Sequence, residues 1–215
     1  MKRAAFFLLV GMGTLLTLSF AEPVRASDVM PAVVEVPAVE GGLYHVDGLR
    51  TQVVFSVSCL SVSWYHGLFS GVSGSLQLDS VHPEQSHVAL RLPVQSLTTT
   101  SGSVTETLWD EGWLDVRKYP DATFVSTQIV SEGLSQAKVA GRLTLHGVTR
   151  PVTLHVHFVG AGKNPMDHDY TVGFEAHGTI QRSAFGIRNA MAAVGDDVKL
   201  TLTGVFEKSP SGTIH

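Results

Sequence analysis

Hydrophobic and polar residues alternate with period two along much of this chain, most plainly from Val139 to Val156. Val139, Gly141, Leu143 and Leu145 take one parity against Ala140, Arg142, Thr144 and His146. Beyond Gly147, Val152, Leu154 and Val156 alternate with Thr153 and His155. Such alternation marks strands with one buried face. A loop at 147–150 predicts Leu145 opposite Val152, Leu143 opposite Leu154 and Gly141 opposite Val156. One face of the hairpin is then apolar throughout, and a one-residue slip would mix the two faces. A lone hairpin is marginal in water, so other strands must cover that face.

Further strand signals run over Leu43 to Val46, Thr51 to Cys59, Gly67 to Asp79, His87 to Pro93, Ala122 to Val130, Lys138 to His146, Pro151 to Val159, Tyr170 to Gln181 and Val198 to Glu207. Helices do not alternate with them, which argues against a parallel α/β sheet. The pattern predicts an all-β fold: an eight-stranded antiparallel barrel, which removes exposed edges, with a sandwich as the competing architecture. The inward set is Val53, Phe55, Val57, Phe124, Leu143, Val156, Phe158, Phe174, Ala176 and Leu200, each in the apolar parity of its strand. Small residues on the dry faces, Gly74, Gly141, Ala176 and Gly178, either leave room for a ligand or mark bends in a packed core.

One stretch departs from period two. Ser103-Val-Thr-Glu106 has the form of a capping box, and Leu108, Trp109 and Trp113 follow at helical spacing. These three would form a lid across the barrel mouth, or simply plug its end.

The N-terminus adds a compartment. Met1-Lys-Arg followed by the apolar run Ala4 to Phe20 reads as a signal peptide of residues 1–21, with a second cleavage point after Ala26. A retained membrane anchor is the competing reading. The expected organisation is therefore a signal at 1–21, an extended leader at 22–42, a barrel at 43–207 and a tail at 208–215. Export makes the Sec machinery the first expected partner. With one cysteine, Cys59, no internal disulfide can form.

The formal net charge of −4 comes with no basic stripe, so nothing favours nucleic acid. Gly-x-Ser-x-Gly, His-Glu-x-x-His and phosphate-loop motifs are absent. No catalytic residues and no cofactor are therefore assigned. Of the ten histidines, His155 and His157 share the wet face of one strand, and Glu175 and His177 that of the next. Pairing of those strands would gather a weak metal candidate on the outer wall, against the plainer reading of solvated surface histidines.

Tyr44-x-x-Asp47, Gly67-x-Phe69-x-Gly-x-x-Gly74, Leu97-Thr98-Thr99, Tyr119-Pro-Asp-Ala-Thr-Phe124, the 139–154 hairpin, Ile180-x-Arg-Ser-x-Phe-Gly-Ile187 and Val194-Gly-Asp-Asp-Val198 together resemble the YceI family of bacterial polyisoprenoid-binding proteins. The resemblance implies a lipocalin-like barrel with a short helical insertion, secreted to the periplasm, whose apolar interior holds a long isoprenoid, quinone or similar lipid. It implies a carrier rather than an enzyme, and leaves a second copy of the chain as a candidate partner. Arg182, Ser183, Phe185 and Gly186 fall on the family's Arg-Ser-x-Phe-Gly segment. Val104-Thr-Glu-Thr-Leu108 departs from the Arg-Asp-x-His-Leu segment of many members. A lipid tail is also reasonable on physical grounds, since each methylene removed from water contributes about 0.8 kcal/mol.

Overall fold

A computed structural model describes residues 39–210. The expected signal at 1–21, both cleavage points, most of the leader and residues 211–215 of the tail lie outside the described residues. The strands are β1 Gly42–Val46, β2 Gln52–Cys59, β3 Ser63–Phe69, β4 Ser73–Leu78, β5 His87–Pro93, β6 Thr98–Thr99, β7 Asp121–Ser131, β8 Gln136–Leu145, β9 Val148–Lys163, β10 Tyr170–Gln181 and β11 Val194–Lys208. The helix α1 spans Gly102–Trp109.

The first six segments are three strands, each broken by a kink. Both β1 and β2 pair with β11; β4 pairs with β1 and β3 with β2; β5 pairs with β4 and β6 with β3, all antiparallel. Counted this way, eight strands follow one another in chain order around a closed antiparallel barrel. The stretch from Gly67 to Asp79, expected as one strand, is thus two, bent at Ser70–Val72. Its partner bends at Asp47–Thr51, and the two bends nest: a Cβ on Gly48 would lie 2.8 Å from the Val72 carbonyl. Where the ladder lapses, the buried Thr51 hydroxyl replaces it, donating to the Val205 carbonyl at 3.2 Å and accepting the Val205 N–H at 3.0 Å.

The hairpin register differs from expectation. Leu145 pairs with Val148, Leu143 with Arg150, Gly141 with Val152 and Val139 with Leu154. The turn has two residues, His146 and Gly147, both at positive φ (51° and 73°), the geometry whose twist suits a tight hairpin. Its His146 ring is held by the edge of Tyr119, 4.7 Å between centroids, and by the Phe185 carbonyl, 3.1 Å from Nδ1. Thr149 and Arg150, expected in a loop, join the ladder, and the hydroxyls of Thr144 and Thr149 meet at 2.8 Å. Because the displacement is an even number of residues, every side chain keeps its expected face.

The dry-face glycines do not hollow the barrel. A Cβ on Gly141 would strike the Phe124 ring, one on Gly178 would lie 2.7 Å from Leu154 Cδ2, and one on Gly74 would strike the Ala89 carbonyl. Each vacant position is filled by a neighbour.

One half of the interior is solid. Tyr44, Leu76, Val172 and Phe206 are buried there, with Phe158 and Phe174 packed against them. Phe174 lies 5.6 Å from Phe158 and 5.9 Å from Phe206 between ring centroids. The Tyr44 hydroxyl donates to the Glu40 carbonyl. Burial, reinforced by Tyr170 and Glu40, pushes the Tyr44 phenol up to about 12, so it stays neutral at any physiological pH. A middle layer of Phe124, Val139, Leu154 and Ala176 follows. Beyond it, the half built from β2, β3, the start of β7 and the turn of the β8–β9 hairpin is different.

Candidate functional site: an apolar cavity under a helical lid

That other half is hollow. Its cavity offers about 190 Å³ to the centres of water-sized molecules. The wall comes from nearly every element: Val53, Phe55 and Val57 of β2, Leu90 and Leu92 of β5, Phe124 of β7, Leu143 and Leu145 of β8, and Val198, Leu200 and Leu202 of β11. Val94, Leu97, Leu114 and Ile187 complete it from the connecting segments. Apart from Thr123 and Arg182, all lining side chains are apolar. A buried water needs about 10–15 Å³ and two to four polar partners. The cavity therefore has room for many waters and almost nothing to hold them. Leaving such a volume empty costs about 24 cal/mol per Å³, roughly 5 kcal/mol here, so an apolar guest is favoured over either water or vacuum.

The sequence-derived interior set divides along the barrel axis. Val53, Phe55, Val57, Phe124, Leu143 and Leu200 line the cavity. Phe158 and Phe174 sit in the solid half, and Val156 and Ala176 belong to the middle layer. All ten do face inward, but those four are packing residues rather than cavity wall. Val94, Leu97, Leu114 and Ile187 escaped detection because none lies in a period-two run. Leu97 and Ile187 did fall within segments that carried the family resemblance.

The expected helix is present with a different start. The helix begins at Gly102 after Ser101, and no side chain caps it. Ser103, expected as the cap, pairs its hydroxyl with that of Ser101 at 3.0 Å, and Glu106 is exposed. What fixes the first turn is Thr105, whose buried hydroxyl accepts the Thr99 N–H at 3.0 Å and meets the Thr99 hydroxyl at 3.0 Å. That bond ties the helix to β6 and displaces the box. Among the described residues no ladder joins β6 to β7, and α1 follows β6 directly. Leu108 and Trp113 face the cavity. Trp109 packs beside it, against the Val53–Leu97 cluster, with its indole Nε1 buried and unpartnered.

Arg182 holds the lid end together. It is 4% exposed, and in place of a carboxylate it uses backbone carbonyls: Nε donates to Gly195 at 2.8 Å, Nη1 to Ile187 at 3.2 Å and Asn189 at 2.7 Å, and Nη2 to Val194 at 2.7 Å. Burial lowers its pKa, with Asp196 opposing. A charged group so buried persists because its donors are satisfied. Asp196 accepts the Ser183 hydroxyl at 2.7 Å and the Ser183 N–H at 2.8 Å. Those two bonds, with Arg182 and Arg188 nearby, hold its carboxyl below the usual aspartate value.

On the outer wall the strands pair as the histidine reading requires, His157 opposite Glu175 and His155 opposite His177. All four are exposed. Among the described residues no three His, Cys, Asp or Glu side chains converge as a metal site would need. Cys59 is a free, half-buried thiol.

The amino-acid sequence matches a family model. Residues 44–206 fit the YceI-like domain. The chain belongs to the YceI-like family. Relatives include a UPF0312 protein of Pseudomonas putida, 37% identical over 168 residues, covering 77% of this chain and 87% of that one. Another, from Pseudomonas savastanoi, is 38% identical over 163 residues, with 75% and 84% covered. Among solved structures, Burkholderia cenocepacia BcnA superposes with a TM-score of 0.67 at 25% identity, covering 74% of this YceI-like chain and 98% of its own. A Campylobacter jejuni YceI protein gives 0.64 at 23%, with 71% and 90% covered. A polyisoprenoid-binding domain from Saccharophagus degradans gives 0.56 at 14%, with 79% and 100% covered.

Proposed function

We propose that this YceI-like protein is a periplasmic carrier that holds one long apolar chain, an isoprenoid, quinone or similar lipid tail, in the hollow half of its barrel. The observation that carries the reading is the cavity wall: its polar exceptions are a lone threonine and an arginine whose donors are engaged by carbonyls. Such a wall selects by width and dryness, with the tail buried deep and any polar head kept toward the lid. It supplies no nucleophile, acid or base at the guest, which supports binding rather than catalysis. The Saccharophagus domain with the same fold is described as polyisoprenoid-binding, in keeping with this reading. The basic, then apolar, N-terminal run from Met1 to Phe20 supports export.

Protein purified from a bacterial periplasm and extracted with organic solvent should release about one long-chain apolar molecule per barrel. Intact mass should show Glu22 or Ser27 as the first residue. A barrel that is bare as purified, and stays bare when isoprenoids are added, would overturn the carrier reading.

A further inference from the structure

At the lid end, two loops hold apolar side chains out in water. The β2–β3 turn places Leu60 and Ser61 at φ of 51° and 58° and leaves Leu60 65% and Val62 84% exposed. The loop before β11 places Ala190 at φ 52° and exposes Met191. The Leu60 N–H donates to the Ala193 carbonyl at 2.7 Å, which joins the loops into one tip. A leucine in left-handed backbone is disfavoured by sterics, and its exposure adds a second cost. Strain of this kind persists where the surrounding structure imposes it, and it clusters at functional segments.

The tip is continuous with the cavity. Cys59, next to Leu60, pairs with Val194, and Val194 and Ile187 both line the cavity wall. Beside the tip, Trp64 is half exposed with the Lys199 ammonium 4.3 Å from its ring centroid. An indole with a neighbouring amine suits the headgroup level of a bilayer, where amphipathic side chains straddle water and hydrocarbon. The charges of the adjoining segments mix both signs, Arg188 and Lys199 with Asp196 and Asp197, and the further cation, Arg182, is buried. Attachment would therefore come from apolar insertion and not from attraction to an anionic surface. Leu134 and Met166, on the turns between β7 and β8 and between β9 and β10, are also exposed. The phenylalanine-packed half separates that end from the cavity.

We propose that the tip formed by Leu60, Val62 and Met191, with Trp64 and Lys199 at its rim, seats the barrel on a zwitterionic lipid bilayer, so that a tail passes between membrane and cavity without crossing water. The proposal rests on the carrier reading and adds where the guest enters.

The test uses the mature full chain and geranylgeraniol presented in two ways, within phosphatidylcholine vesicles and from ethanol. The double variant Leu60→Asp/Met191→Asp should load from vesicles at least roughly tenfold more slowly, the scale set by burying a leucine-sized side chain. Its loading from ethanol should be unchanged. Leu60→Gly, which relieves the backbone strain and keeps the fold, should lose vesicle loading in the same direction, while Leu134→Asp should load normally. Brominated phosphatidylcholine should quench the emission of a Trp109→Phe/Trp113→Phe chain, in which Trp64 is the one remaining tryptophan, with little dependence on salt, and this readout works without any guest. Undiminished vesicle loading by the double variant, or absent quenching, overturns the docking proposal. So does a wild-type dimer dissolved by the same substitutions, which would assign the tip to a second copy. Failure of the wild type to load from either source strikes the carrier reading instead, and the quenching result still decides docking.

Discussion

The guanidinium of Arg182 lies over the indole of Trp113, 5.5 Å from the ring centroid, at the charged point of an otherwise apolar cavity wall. Through this contact the loop that Arg182 gathers, Ile187 to Gly195, meets the segment that follows α1. A second contact reinforces it, because a Cβ on Gly112 would strike the Asn189 side chain. The lid therefore rests on a ledge organised by one buried cation.

Removing that cation should loosen the ledge. Arg182→Met keeps the volume but orphans carbonyls of Ile187, Asn189, Val194 and Gly195, and should destabilise the protein by about 1–3 kcal/mol. Arg182→Lys keeps the charge and cannot reach all four acceptors, so its stability should fall between. Urea melts measure the stability. A red shift in tryptophan emission in the Met variant, absent when Trp113 is replaced by Phe, would report the opened lid.

The carboxyl of Asp196 gives the ledge a pH signature. Its folded pKa is depressed, first by the Ser183 hydroxyl and then by the Ser183 N–H. Its contribution is thus complete above the unfolded value of about 3.9 and is lost as pH falls from there toward the lower folded value. Asp196→Asn should be less stable than wild type at pH 7, and the gap should begin to close only below about pH 4, as pH falls toward the depressed folded value. Melts at a series of pH values read this directly, and parallel curves for the two proteins would refute it.

At the β8–β9 turn, Gly147 holds φ 73°, and a Cβ there would lie 2.5 Å from Tyr119 Cε1. Gly147→Ala should cost about 1–3 kcal/mol through strained backbone and a displaced ring. Gly133, also at positive φ, has open space around its Cβ position. Gly133→Ala would therefore feel backbone strain alone. Differential scanning calorimetry reads the loss in Gly147→Ala, and an unchanged melting temperature there would contradict it.

Ala176 sits in the middle layer with Phe124, Val139 and Leu154, not in the cavity. Ala176→Phe should overpack that layer and destabilise the apo protein by about 1–3 kcal/mol. Glu175→Gln, next to it on the wet face, should leave the melting temperature unchanged. A hollow middle layer would instead accept the phenylalanine without loss.

Facing was legible in the sequence because the side-chain period of a strand is fixed at two. Val53, Phe55, Leu143 and Phe174 all point inward as their parity requires. Height along the barrel axis was not legible: Phe55 and Phe174 share the same pattern, yet one lines the cavity and the other packs the solid half. Register was partly legible. A four-residue slide at Leu145 and Val148 conserves parity, so hydrophobic pattern alone could not detect it. The deciding fact was a histidine in left-handed backbone, held by Tyr119 and Phe185 from distant segments. The kink at Ser70–Val72 was hidden for the same reason, since it is shaped by contact with Gly48 across the sheet. The capping box at Ser103 failed because Thr105 found a buried partner in Thr99. Arg182 entered through the family resemblance alone; its role in the ledge depends on carbonyls that only the folded loop brings together.

A carrier of this kind must accept one apolar chain in its hollow half. Ala122 is 4% exposed and lines that half, so Ala122→Phe would place a ring in the space a guest needs. Native mass spectrometry after exposure to geranylgeraniol should show one adduct on the wild-type barrel and none on a folded Ala122→Phe barrel. A wild type that stays bare, or two proteins that load equally, would contradict it.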